Sequence, residues 1–122
     1  MKLHLAQQDG NYAVTAYSKG RVDINYQSYQ TSLIITAEKL ELDWPVRQIQ
    51  DLTTEHFAHL LSFKPEIVII GSGEQHQFIH PKLSAPLIQA QIAVECMTTA
   101  AACRTYNILM AEGRKVLAGL IV

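Results

Sequence analysis

The run Ile67-Val68-Ile69-Ile70, preceded by Pro65-Glu66 and ended by Gly71-Ser72-Gly73, is the feature that most narrows the possible folds. Four consecutive β-branched residues suit an extended backbone, and the absence of polar alternation means that both faces of the strand must be covered. Such a strand lies inside a sheet with a layer on each side. The 122 residues, 48% hydrophobic and 17% charged, suffice for one domain, residues 1–122, and leave no room for a second.

Ten basic and eleven acidic side chains give a formal charge of -1, which supplies no general attraction to nucleic acid or to an anionic membrane. A partner must therefore be recognised locally. No apolar stretch approaches the length of a membrane span, so no membrane insertion is expected. The opening "MKLHLAQQDGNY" has neither a sustained apolar segment nor the Arg- and Ser-rich character of a presequence, which makes the cytoplasm the expected location. There, Cys96 and Cys103 are expected as reduced thiols.

Residues rich in β-branched and aromatic side chains predict strands over Tyr12 to Ser18, over "RVDINYQ" from Arg21 to Gln27 and over Ser32 to Ala37, with a turn at Ser18-Lys19-Gly20. In "KLELDW", the alternation of Leu40, Leu42 and Trp44 predicts a strand with one buried face. Thr53 as cap, with the stripe Phe57, Leu60 and Leu61, predicts a helix over Thr54 to Ser62. "KLSAPLIQAQ" permits a second helix with Pro86 in its first turn, and "IAVEC" another buried strand. "TTAAACRTYNILMAEG" is the strongest helix, ended by Gly113, and "KVLAGLIV" closes as a strand. These elements predict an α/β (mixed α+β) domain built on a central mixed sheet.

Gly71-Ser72-Gly73 invites three readings. A dinucleotide loop would need a third glycine where His76 stands and a helix opening at once, while a P-loop lysine and the spacing of a serine-hydrolase elbow are both missing. What remains is either a turn that permits positive φ and close helix packing, or a ligand loop at the carboxyl end of an interior strand. Helical spacing puts Arg104 and Asn107 on one face, flanked by Ala100 and Ala111. They either form an anion- or partner-binding pair beside the loop, or act structurally, with Arg104 on Glu95 or Glu112 and Asn107 on a loop carbonyl. Cys103, near the helix start, is either a thiol of lowered pKa or a small buried apolar residue. His56 and His59 could share a helix face but lack a third ligand, and Pro81 with the glycine turn puts His76 and His80 on a loop rather than a helical metal face, so no metal is expected. Carboxylates occur singly, without a pair for acid-base work.

The segments "PEIVIIGSG", then Phe78 and Pro81, then "VECMTTAAACRTYNILMAEGRKV", resemble the signature of a domain-of-unknown-function family. That family includes the mitochondrial respiratory complex I assembly factor three and the adipogenesis-associated protein. The resemblance is specific from Pro65 to Val122 and sharpest at "ACRTYN" and "EGR". It implies a three-layer fold with helices on one side of a mixed sheet and additional β structure on the other, and it carries no agreed catalytic residues or cofactor. Gly71 and Gly73 match the family's glycine turn, with Ser72 where Thr is usual. Glu95, Cys103, Arg104, Tyr106, Asn107, Glu112, Gly113 and Arg114 match its helix motif. The lack of a presequence points to a bacterial-type cytoplasmic member. The expected function is a non-enzymatic binding or assembly-type domain that recognises another protein or a small anionic ligand between Gly71-Ser72-Gly73 and Arg104/Asn107. The alternative is a small-molecule enzyme using Cys103 or Ser72 in the same crevice.

Overall fold

The computed structural model describes residues 11–122; the reading of the first residues as lacking a presequence falls largely outside them. Among these residues eight strands form two sheets. β1 (Val14–Ser18), β2 (Arg21–Ile24) and β3 (Gln27–Tyr29) make an antiparallel meander. The larger sheet runs β5-β4-β8-β6-β7, from β5 (Leu40–Glu41) and β4 (Leu33–Thr36) through β8 (Val116–Leu120) and β6 (Ile67–Gly71) to β7 (Ala93–Met97). β4 is antiparallel to β5 and β8, whereas β6 runs parallel to both β8 and β7. This is the mixed sheet that the order of elements implied.

The covered strand inferred from Ile67-Val68-Ile69-Ile70 is β6, and its alternate residues enter two separate cores. Val68 and Ile70 join Phe57 and Leu60 of α1 (Thr54–Leu61) and Leu87 of α2 (Ala85–Gln89). Ile69 packs on the other face with Ala102, Cys103 and Tyr106 of α3 (Thr99–Ala111) and with Val22 and Ile24 of the meander. The three layers are therefore α1 and α2, the large sheet, and the small sheet, with α3 filling the rest of that second face.

Local signals explain the helix ends. Thr53 accepts a hydrogen bond from the His56 amide while the His56 ring accepts one from the Thr53 amide, a reciprocal cap. Thr98 caps α3 through the Ala101 amide. At the far end Gly113 has φ +82, its N–H reaches the Met110 carbonyl, and the Arg114 N–H reaches that of Leu109. This pair of bonds is a Schellman close. A Cβ on Gly113 would meet nothing within 4 Å, so Gly113→Ala should cost only the backbone strain, about 1 kcal/mol. Thermal unfolding checks this, and an unchanged midpoint would refute it.

Three expectations need correction. Beyond Glu41 the "KLELDW" segment leaves the sheet: Leu42 is exposed, Asp43 turns at φ +57, and Trp44 is buried from a loop. "RVDINYQ" is two strands, because Asn25 and Tyr26 adopt φ 48 and 70 in a tight hairpin turn. "IAVEC" forms an edge strand, with Ala93 and Glu95 exposed and Val94, Cys96 and Met97 half-buried. A central charge fits an edge better than an interior.

Candidate functional site

The glycine loop is at the carboxyl end of β6, where the topology was expected to leave a crevice, but its own polar groups close it. Thr99, the first residue of α3, does most of this. Its hydroxyl accepts the Gly73 N–H at 2.8 Å and donates to the Ile121 carbonyl at 2.8 Å, and its amide donates to the Gly73 carbonyl at 2.9 Å. Gly71 is required by that approach, since a Cβ there would stand 2.9 Å from the Thr99 hydroxyl and 3.0 Å from its Cα. The Ser72 N–H goes to the Met97 carbonyl, and the buried Ser72 hydroxyl lies 2.6 Å from the Gln75 carbonyl and 3.1 Å from that of Met97. The expected anion cradle of Ser72 and Gly73 amides is thus spent on the fold. Thr99 was not among the residues singled out from the sequence; the signal was the second threonine, which a single cap does not need.

Arg104 and Asn107 do share a face, as spacing implied. They line a shallow groove of about 260 Å³ between α3 and β1, together with Thr15, Tyr17 and Cys103. Asn107 is a structural tie of a particular kind: its Oδ1 accepts the Val14 N–H at 2.9 Å and its Nδ2 donates to the Val14 carbonyl at 2.7 Å. The amide thereby substitutes for a neighbouring strand. Tyr106, fully buried, donates to the Tyr12 carbonyl at 2.7 Å. Arg104 is exposed and, among the described residues, has no carboxylate within 4 Å, so the expected pairing with Glu95 or Glu112 is absent. Glu112 caps the end of α3, and Arg114 pairs with Glu66 at 2.8 Å.

Neither candidate nucleophile has the required setting. Burial pushes the Cys103 thiol up to about 12, against a smaller opposing effect of the Arg104 charge, which fits the reading of Cys103 as a small buried residue rather than a thiol of lowered pKa. Cys96 is raised too, again by burial. The hydroxyl of Ser72 faces carbonyls rather than a base. Histidines are used locally: His56 caps α1, His59 lies 2.8 Å from Glu41, and His80 accepts the Lys82 amide. Among the described residues no three His, Cys, Asp or Glu side chains converge on a metal position.

The surface that sequence reasoning missed is the outer edge of β7. In a strand, alternate residues aim both backbone groups to opposite sides. The Met97 carbonyl bonds Ser72 on the β6 side, so Val94 and Cys96 aim their N–H and C=O outward, where they meet no bond among the described residues. Their side chains line a groove of about 300 Å³ with Phe78, Ile79 and Ile88. Phe78 is 75% exposed and Ile88 53%. On the opposite face the exposed carboxylate of Glu95 marks the middle of the strand.

Residues 14–121 match the family described as proteins of unknown function, DUF498/DUF598. The chain belongs to this family. Among curated relatives, a 13 kDa major membrane protein of Francisella tularensis is 34% identical over 82% of each chain. The mouse NADH dehydrogenase [ubiquinone] 1 alpha subcomplex assembly factor 3 is 39% identical over 66% of this chain and 44% of its own length. The chain therefore spans less than half of that relative. A crystal structure of a Bordetella parapertussis protein superposes with a TM-score of 0.86 at 34% identity, covering 91% of this chain and 95% of the other. The family match and this superposition agree with the resemblance read at "ACRTYN" and "EGR". Among the described residues of this DUF498/DUF598 member, no helix is long and apolar enough to cross a membrane.

Proposed function

We propose that this domain is a non-enzymatic, assembly-type binding module that takes an extended segment of another protein along the outer edge of β7. The observation that carries the reading is the coincidence of outward backbone groups at Val94 and Cys96 with the exposed Phe78 and Ile88 beside them. Main-chain hydrogen bonds to an open edge supply affinity, and side-chain pockets along it supply choice. The assembly-factor name of the mouse relative, a protein that by that name acts on other proteins, supports the same class.

The occupant follows from charge. Pairing β7 antiparallel with a second copy about its centre would set Glu95 against Glu95, a like-charge cross-strand pair. A different chain that places Lys or Arg opposite Glu95 and apolar side chains over Val94 and Cys96 meets both faces favourably. Arg104, exposed beside Tyr17, is available as a further charged contact for a partner.

Selection from a library of unstructured seven-residue peptides should recover sequences that alternate apolar residues with a basic one. Val94→Pro removes an outward N–H that the β6 ladder does not use, so it should weaken such peptides by about tenfold or more at temperatures where the variant is still folded, its unfolding midpoint falling somewhat because Val94 also packs on the core. Glu95→Lys should shift selection to acidic peptides. Peptides without alternation, undiminished binding to the proline variant, or a dimer abolished by it would each sink this reading.

A further inference from the structure

At the opposite end of the large sheet, beside the starts of β6 and β8, lies a cleft of about 430 Å³ that no part of the proposed β7 interface reaches. Three connections build it: the β4–β5 turn, the segment after α1, and the close of α3. Lys39, Lys64, Arg114 and Lys115 line it, one or two from each connection. Their convergence is therefore tertiary, and the sequence shows only scattered lysines. Phe63, Pro65, Met110 and Val116 supply an apolar wall, with Pro65 and Val116 buried and the other two half-buried.

Basic residues after helix ends can serve merely to offset the helix dipoles, as Lys64 does after α1 and Arg114 after α3. The charge balance exceeds that need. The four cations face the carboxylates of Glu38 and Glu66 and two helix C-termini worth about half a charge each, leaving roughly one positive charge uncompensated. The side-chain hydrogen bond from Arg114, followed by the Lys115 amide, holds the Glu66 carboxyl below its ordinary range. Glu66 engages Arg114 through Nε, leaving the outer guanidinium nitrogens without a hydrogen-bond partner among the described residues. Among the described residues Lys39, Lys64 and Lys115 have no carboxylate within 4 Å. Lys64 sits in the left-handed region at φ +56, and the Lys39 ammonium lies 5.9 Å from the centre of the Phe63 ring.

The local amides are already used. Those of Lys39, Lys64 and Lys115 donate to the Thr36 hydroxyl, the Leu61 carbonyl and the Glu66 carboxylate. An occupant is therefore held by ammonium and guanidinium groups at one end and by apolar contact at the other. We infer that this cleft is a binding site for a small amphipathic anion, a phosphate monoester or carboxylate carried on a compact apolar body. Its volume falls in the range of small-molecule sites.

The probe is 1-naphthyl phosphate, titrated into the whole chain and followed by NMR. Saturable shifts at Phe63, Met110, Lys64 and Lys115 are expected, with inorganic phosphate and 1-naphthol each bound about tenfold more weakly because each offers only half of the recognition. The double variant Lys64→Gln/Lys115→Gln should lose about tenfold in affinity while its thermal unfolding stays within experimental error, since exposed lysines add little stability. Vesicles of equal phosphatidylglycerol and phosphatidylcholine separate two sources of the anion. Sedimentation with them that naphthyl phosphate suppresses assigns a lipid headgroup, whereas ester binding without sedimentation assigns a free ligand. Equal affinity for 1-naphthol, an unaffected double variant, or shifts centred elsewhere would overturn the inference.

Discussion

Gly119→Ala should unfold at a clearly lower denaturant concentration, with a loss of about 3 kcal/mol from overpacking. Gly119 lies in β8 between Ile34 of β4 and Ile70 of β6, so its backbone is held on both sides. The added Cβ would stand 2.7 Å and 2.8 Å from Cη2 and Cζ3 of Trp44 and 3.3 Å from Cδ1 of Ile70. The indole is a rigid ring, 4% exposed, and cannot yield as the end of a flexible chain would. Trp44 is the only tryptophan in the chain, so its fluorescence reports the site during urea unfolding. Its indole N–H has no acceptor among the described residues, and Trp44→Leu therefore forfeits packing without a hydrogen bond. The double variant should lose less than the two single losses together, because the leucine vacates the space the methyl needs. Unchanged stability in Gly119→Ala would show that the notch is not filled as described.

Asn107→Ala should cost about 2–4 kcal/mol, because it strands both the N–H and the C=O of Val14. Val14 is 8% exposed, so water replaces the lost partners poorly. Loss should appear in chemical denaturation and, locally, as faster amide exchange in β1. Asn107→Asp keeps an acceptor for the Val14 N–H but sets a carboxylate against the Val14 carbonyl, so it should rescue little. A stable Asn107→Ala would return this residue to the candidates for ligand contact. Arg104→Gln is the comparison, since an exposed side chain without an ion partner among the described residues should leave stability nearly unchanged.

Local chemistry was readable where it decided structure over a few residues. Thr53 and Gly113 marked helix ends because capping depends on neighbours in the chain. The four-residue run in β6 announced a strand covered twice because no alternative buries it. Reading failed where the partner is remote. Asn107 bonds a residue 93 positions away, and nothing near it in sequence distinguishes that bond from a ligand contact. "IAVEC" looked interior from its hydrophobicity, yet edge or centre is a property of the whole sheet. Glu95 was the one local hint. The spacing that brought Arg104 beside Asn107 was sound, while the purpose of the glycine loop turned on Thr99, which comes from the next strand-helix junction. The basic cleft drew its cations from three connections, beyond the reach of any motif.

The position of β8 has a bearing on how the molecule comes to be made. Val116–Leu120 is the last strand in chain order, yet it lies between β4 and β6 and supplies the ladder that joins them. During synthesis, the β4–β5 pair and the β6–β7 pair can each assemble as they leave the ribosome, but neither has the other as a neighbour. Their shared seam stays open until β8 emerges and fits between them, antiparallel to one side and parallel to the other. The long-range pairing that joins the two halves of the sheet thus waits for β8, and the exposed flanks of two half-sheets are what a nascent chain must shield in the meantime.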